Sequence, residues 1–129
     1  MRLLLLLLST IVSVFAYMNE PYPPFIITSP KLGQQIKRGD TVNVTWELSP
    51  GVRFPLYGYA ASRTARTVAG LLPPDASKHE RYTQNIETHL QFTDYEYEWL
   101  VDDTVTPGSY QLGIGFYYHE VSPTFHIMP

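Results

Sequence analysis

Apolar and polar residues alternate with a period of two along three stretches of this chain. Val42, Val44, Trp46 and Leu48 alternate with Thr41, Asn43, Thr45 and Glu47. Tyr95, Tyr97, Trp99 and Val101 alternate with Glu96, Glu98 and Leu100, and Tyr110, Leu112, Ile114 and Phe116 alternate with Gln111, Gly113, Gly115 and Tyr117. Successive side chains of a strand point to opposite faces, so each stretch predicts a half-buried strand. Residues 25–28 form a shorter β-prone run. It stops at Ser29-Pro30, where proline removes a ladder donor. Residues 54–60 predict a weaker strand entered at Pro55, and 124–127 a final one. Residues 86–92 place Ile86, Thr88, Leu90 and Phe92 on one strand face. Residues 64–72 fit a strand or a short helix, and 76–85 read as loop. Turns are expected at 31–33, 37–40, 49–51 and 73–75. Pro107-Gly108 predicts a type II turn in which glycine supplies a positive φ. No stretch carries a helical stripe of useful length.

Several short strands separated by turn residues, with a tryptophan inside a strand, predict an all-β fold: an antiparallel β-sandwich. Its core is expected where the Val42/Val44/Trp46, Tyr97/Trp99/Val101 and Tyr110/Leu112/Ile114 faces meet. The 129 residues suffice for one such domain. With no cysteine there are no disulfides, so the core must carry stability alone; an aromatic content of 14% supplies it.

The first sixteen residues read differently. Arg2 precedes an apolar run over 3–8 and 11–15, and Val14 and Ala16 occupy the −3 and −1 positions of a cleavage site. That is the layout of a secretory signal peptide, and the run is short for a membrane span of about 20 residues. The expected organisation is a signal peptide at 1–16, a proline-rich leader at 17–24 and the sandwich at 25–129. No second apolar stretch and no GPI-anchor signal follow, so no membrane span is expected after cleavage. The expected location is outside the cell or in a cell wall. Asn43-Val44-Thr45 is an N-glycosylation sequon, with Asn43 on the polar face of its strand. A net charge of −3 without a basic block gives no electrostatic basis for nucleic-acid binding.

Five segments, taken in order, resemble a known pattern. They are Ile27-Thr28-Ser29-Pro30 followed by Gly33; Arg38-Gly39-Asp40-Thr41-Val42-Asn43-Val44-Thr45-Trp46; Tyr97-Glu98-Trp99-Leu100-Val101; Pro107-Gly108-Ser109-Tyr110-Gln111-Leu112-Gly113-Ile114; and Ser122-Pro123-Thr124-Phe125-His126-Ile127. The conjunction resembles the N-terminal immunoglobulin-like domain of the yeast cell-wall synthesis (killer-toxin-resistance) proteins. The same domain occurs in fungal Ser/Thr-rich GPI-anchored membrane proteins. The resemblance implies an immunoglobulin/fibronectin III-like sandwich and a secreted fungal protein connected with wall β-glucan assembly. It implies no catalytic residue. Residues 53–91 are longer and less regular than the pattern, and no Ser/Thr-rich stalk follows the domain.

Candidate chemistry is sparse. Asp94, Glu96, Glu98, Asp102 and Asp103 lack the glycine-punctuated spacing of a calcium loop and read as a solvated face and turn. His79, His89, His119 and His126 show no metal-ligand spacing, and Arg38-Gly39-Asp40 reads as a turn. No nucleophile motif or phosphate loop occurs. The expectation is therefore no catalytic residue, no cofactor and no metal. Ten tyrosines exceed what the core needs. Tyr57, Tyr59, Tyr117 and Tyr118 are candidate carbohydrate contacts, because exposed aromatic rings stack on sugar faces and their hydroxyls form hydrogen bonds. The expected partner is a wall polysaccharide or another secreted or wall protein. A free secreted interaction protein, such as an effector, and a stand-alone carbohydrate-binding module are the alternative roles.

Overall fold

Nine strands and one 3-10 turn make up the ordered framework of a computed structural model, which describes residues 23–53, 56, 58–60, 65–77 and 79–129. The predicted signal peptide and all of the leader but Pro23 and Pro24 lie outside the described residues, as does Tyr57. The strands are β1 (Phe25–Ser29), β2 (Gln35–Lys37), β3 (Thr41–Leu48), β4 (Arg66–Leu72), β5 (Gln84–Gln91), β6 (Glu96–Leu100), β7 (Gly108–Ile114), β8 (Glu120–Val121) and β9 (Phe125–Met128). They form a three-stranded sheet in the order β1-β3-β6 and a six-stranded sheet in the order β2-β9-β7-β4-β5, with β8 beside β7. All pairings are antiparallel except that of β2 with β9. The N-terminal strand is thus split: β1 borders one sheet, and after a turn at Leu32-Gly33 the chain joins the other as β2.

The two sheets pack into a sandwich around one core. Alternation in β3 buries Val42, Val44 and Trp46 and leaves Thr41, Asn43 and Glu47 outside. Trp99 of β6, Leu112 and Ile114 of β7, and Phe125 and Ile127 of β9 complete the inner faces. Each fully buried aliphatic or aromatic side chain contributes about 1.5–3 kcal/mol, which is how a chain without cysteine holds two sheets together. Phe92, in the 3-10 turn Phe92–Asp94 between β5 and β6, is the hub. Its ring lies 4.9 Å from Phe25 and 5.8 Å from Trp46, and its carbonyl accepts the Trp46 Nε1–H at 2.9 Å. Among the described residues every buried side-chain polar atom has a hydrogen-bond partner.

Several expectations need correction. The described part of 54–60 is not a strand: Tyr59 and Ala60 donate their N–H groups to the Leu56 carbonyl in a turn. Residues 66–72 are a strand rather than a helix. Phe116 does not continue β7, because the chain turns at Gly115. Pro107-Gly108 does not form the type II turn: Gly108 opens β7, paired with Ile127, although its φ is positive as expected, at +158°. Arg38-Gly39-Asp40 does form the expected turn, with the Asp40 N–H bonded to the Lys37 carbonyl and Gly39 at φ +97°.

Candidate binding site

The site is built on the β7–β8 connection, Gly115-Phe116-Tyr117-Tyr118-His119. Gly113 pairs with Val121 and Ile114 with Glu120, so a hairpin must close within five residues. Gly115 makes that possible: its φ is +146°, and a Cβ there would lie 1.8 Å from the Tyr118 carbonyl oxygen. The loop is then fastened from outside. The N–H groups of Phe116, Tyr117 and Tyr118 all donate to the Gly58 carbonyl, at 3.2, 2.8 and 3.1 Å. Successive N–H groups converging on one oxygen form a backbone nest. The Tyr82 hydroxyl donates to the Gly115 carbonyl at 2.9 Å. Gly58 also admits the Tyr118 ring, which a Cβ would meet at 2.5 Å.

These bonds hold three adjacent aromatic rings outward. Phe116 is 48%, Tyr117 81% and Tyr118 43% exposed. Tyr118 is steadied by His79, at 4.9 Å edge-on, and by Tyr59 at 6.0 Å. Neither ring of the described residues packs on Tyr117, whose surface is the most open of the three.

Beneath the loop, Tyr82 and His119 cover the six-stranded sheet where its side chains are missing. Gly70 of β4 pairs with Gly113 of β7. The Tyr82 ring fills the place of both side chains: an added Cβ would meet it at 2.4 Å from Gly70 and at 2.8 Å from Gly113. An aromatic ring laid over cross-strand glycines restores the packing they lack. His119 sits beside it, ring centroids 5.3 Å apart and only 3% exposed, with Nε2–H donated to the Ser77 carbonyl at 2.9 Å.

Burial raises the Tyr82 phenol above its ordinary range. Tyr59 is raised too, by burial and by the adjacent Glu120 carboxylate. Burial lowers the pKa of His119 against the opposing pull of the Ser77 carbonyl, Glu120 and Glu80. The folded protein thus holds His119 neutral where an unfolded chain, with a pKa of about 6.5, takes up a proton. As pH falls through that value the unfolded state binds the extra proton, so folding stability decreases. We expect the melting temperature to drop between about pH 7 and pH 5, and His119→Gln, which keeps an N–H donor near Ser77, to flatten the drop. An equal slope in both proteins counts against a buried neutral imidazole.

Two open cavities flank the loop and share Phe116 and Tyr117. One, of about 300 Å³, is bordered by His79, Glu80, Arg81, Tyr82, Asn85 and His119. The other, of about 470 Å³, reaches Gly58 and Ala60.

Of the four tyrosines singled out in the sequence, the fold brings Tyr117 and Tyr118 together on this loop. Tyr59 lies under it instead, half-buried, its ring edge-on to Phe25 at 5.6 Å and its hydroxyl donated to Glu120 at 3.0 Å. Asn43 is exposed in the middle of β3, on the outer face of the three-stranded sheet beside Glu98. The sequon's Thr45 hydroxyl is hydrogen-bonded to that of Thr28 at 2.6 Å. Asp94, Glu96, Glu98, Asp102 and Asp103 are exposed, and Asp102 accepts both the N–H and the hydroxyl of Thr104. Among the described residues no three His, Asp or Glu side chains converge to hold a metal, and no helix is long and apolar enough to cross a membrane. Sequence alone places Phe116 in the β7 alternation rather than on a loop, and gives no sign that Arg81 and Tyr82 gather with His79 and His119 around one cavity. The Gly113-x-Gly115 spacing, which breaks the strand pattern just before four aromatic rings, is the local signal that marks this place.

No protein family, no curated protein and no solved structure matches the chain. What fold and site define is an all-β sandwich that presents one rigid aromatic loop.

Proposed function

We propose that this chain is an exported, non-catalytic binding module of the immunoglobulin/fibronectin III-like type that acts at the fungal cell surface as an accessory in wall β-glucan organisation. Its ligand is a polysaccharide held on the Phe116–Tyr117–Tyr118 loop. The split first strand, antiparallel to β3 and then parallel to β9, supports that type of sandwich. The segments carrying the resemblance also fall on framework elements: β1, β3, β6, β7 and β9. One observation carries the binding role: three neighbouring rings are kept in water by a nest of backbone hydrogen bonds. Exposed aromatic surface is costly to keep and marks contact sites, and rings already fixed lose little conformational freedom on stacking against sugar.

The test is retention of the purified protein on insoluble β-1,6-glucan, β-1,3-glucan and chitin. Retention on one polymer is expected. The Tyr117→Ala/Tyr118→Ala protein, with its melting temperature unchanged, is expected to bind roughly tenfold or more weakly, the worth of two stacking contacts. Full retention by that variant, or none by the parent protein on any polymer, sinks the carbohydrate reading. In the latter case a protein partner becomes the better account. The cavity against Gly58 and Ala60, bordered by Phe116 and Tyr117, favours such a partner, since aromatic anchors in pockets dominate protein interfaces.

A further inference from the structure

The cavity of about 300 Å³ on the other side of the loop has a different chemistry from the loop itself. Phe116 and Tyr117 border it with aromatic surface. Glu80, Arg81 and Asn85 bring an acceptor, a donor fork and an amide that does both. All three are exposed, and among the described residues none of their side chains has a hydrogen-bond partner. Its most enclosed member is His119, which is fixed by Ser77, and Tyr82 beside it is fixed on the sheet glycines. The base of the cavity is therefore preorganised while its polar rim is unspent.

We propose that this cavity is a subsite for a single neutral hexopyranose unit of the polysaccharide that the loop engages, an inference that rests on the binding role proposed above. Three features select that ligand class. The volume is at the small end for a ligand cavity, enough for one ring and not for a chain segment. The lining offers both donors and acceptors next to an apolar ring face, as a polyhydroxylated ring demands, since each hydroxyl donates and accepts while the C–H face stacks. Neighbouring Glu80 and Arg81 carry opposite charges, so an anion meets a carboxylate there and a cation meets a guanidinium; an uncharged ring meets neither penalty. The loop then supplies area, and the cavity supplies recognition of hydroxyl placement.

The experiment is a titration of isotope-labelled protein, expressed from the full chain and purified in its processed form, followed by amide chemical shifts. The probes are gentiotriose, laminaritriose and triacetylchitotriose, with inorganic phosphate as a charged competitor. One trisaccharide is expected to shift the amides of Arg81, Asn85, Gly113 and Gly115. Arg81→Ala/Asn85→Ala is expected to weaken that binding at least tenfold without moving the melting temperature, since both side chains are exposed and unpaired. Shifts confined to other faces, equal affinity in the double variant, or the same amides responding to phosphate instead would each overturn the subsite. If insoluble polymer is still retained through Tyr117 and Tyr118 in those cases, the loop reading survives alone. If no polymer is retained at all, both fall together.

Discussion

Replacing Trp46 by alanine will cost about 3–5 kcal/mol of folding stability, the range for a large aromatic side chain removed from a packed core. A domain of this size has about 5–15 kcal/mol in total, so the variant will be marginal. With a urea dependence of about 1–3 kcal/mol per molar, its midpoint will fall by roughly 1–5 M. The reason is positional as well as volumetric. Trp46 is 1% exposed, belongs to the three-stranded sheet, and bonds through Nε1 to the carbonyl of Phe92, which follows the edge strand of the other sheet. In a protein without disulfides this is a link between the two layers. Trp46→Phe separates the two contributions. It keeps much of the ring but deletes the donor, and the Phe92 carbonyl retains the Tyr95 N–H at 3.2 Å, so a loss of only about 1–2 kcal/mol is expected. If Trp46→Ala costs no more than Trp46→Phe, the neighbouring rings have closed over the space and the indole is not the link described.

Gly115→Ala is expected to disable the loop while leaving the framework folded. The conformation at φ +146° is nearly exclusive to glycine, and forcing another residue into it costs about 1–3 kcal/mol. The added Cβ also lands 1.8 Å from the Tyr118 carbonyl oxygen, a backbone atom with no rotamer to escape into. The turn must open, and with it go some of the three hydrogen bonds to Gly58. Melting should fall by roughly 4–8 °C for each kcal/mol lost, and retention on polymer should fall as far as in the Tyr117→Ala/Tyr118→Ala protein. Gly51→Ala is the reference: its φ is +79° but nothing lies within 4 Å of the added carbon. It therefore reports the cost of positive φ alone. Equal effects at the two glycines would show that the Tyr118 contact does not shape the loop.

The legible strands were those with one wet face. In β3 the outer residues are polar, and in β6 only Leu100 departs from that, so alternation shows. β4 is covered on both sides: Ala69, Leu71 and Leu72 are buried, Gly70 lies under Tyr82, and irregular pairing at Ala69 disturbs the period. A short apolar run buried on both faces has no signature that separates strand from helix. β2 and β8, at three and two residues, are below any periodic signal. Phe116 misled for the opposite reason, since it continues the period of β7 past a turn that only the geometry of Gly115 reveals. The site itself is non-local. His119 meets Ser77 and Tyr82, and Tyr118 meets His79, across some forty residues, and Gly58 grips a loop sixty residues away. Tyr117 and Tyr118 were visible as surplus aromatics; the polar half of the cavity, Glu80, Arg81 and Asn85, lay in what reads only as a polar loop.

The parallel pairing of β2 with β9 also bears on how the molecule carries mechanical load. Gln35, Ile36 and Lys37 face His126, Ile127 and Met128, and because the strands run the same way, the incoming end of β2 and the outgoing end of β9 lie at opposite ends of the ladder. Tension between those two ends slides one strand along the other. Every bond of the ladder then bears force at the same moment, whereas an antiparallel pair pulled from one side opens bond by bond. A sandwich closed in this way resists stretching along its chain.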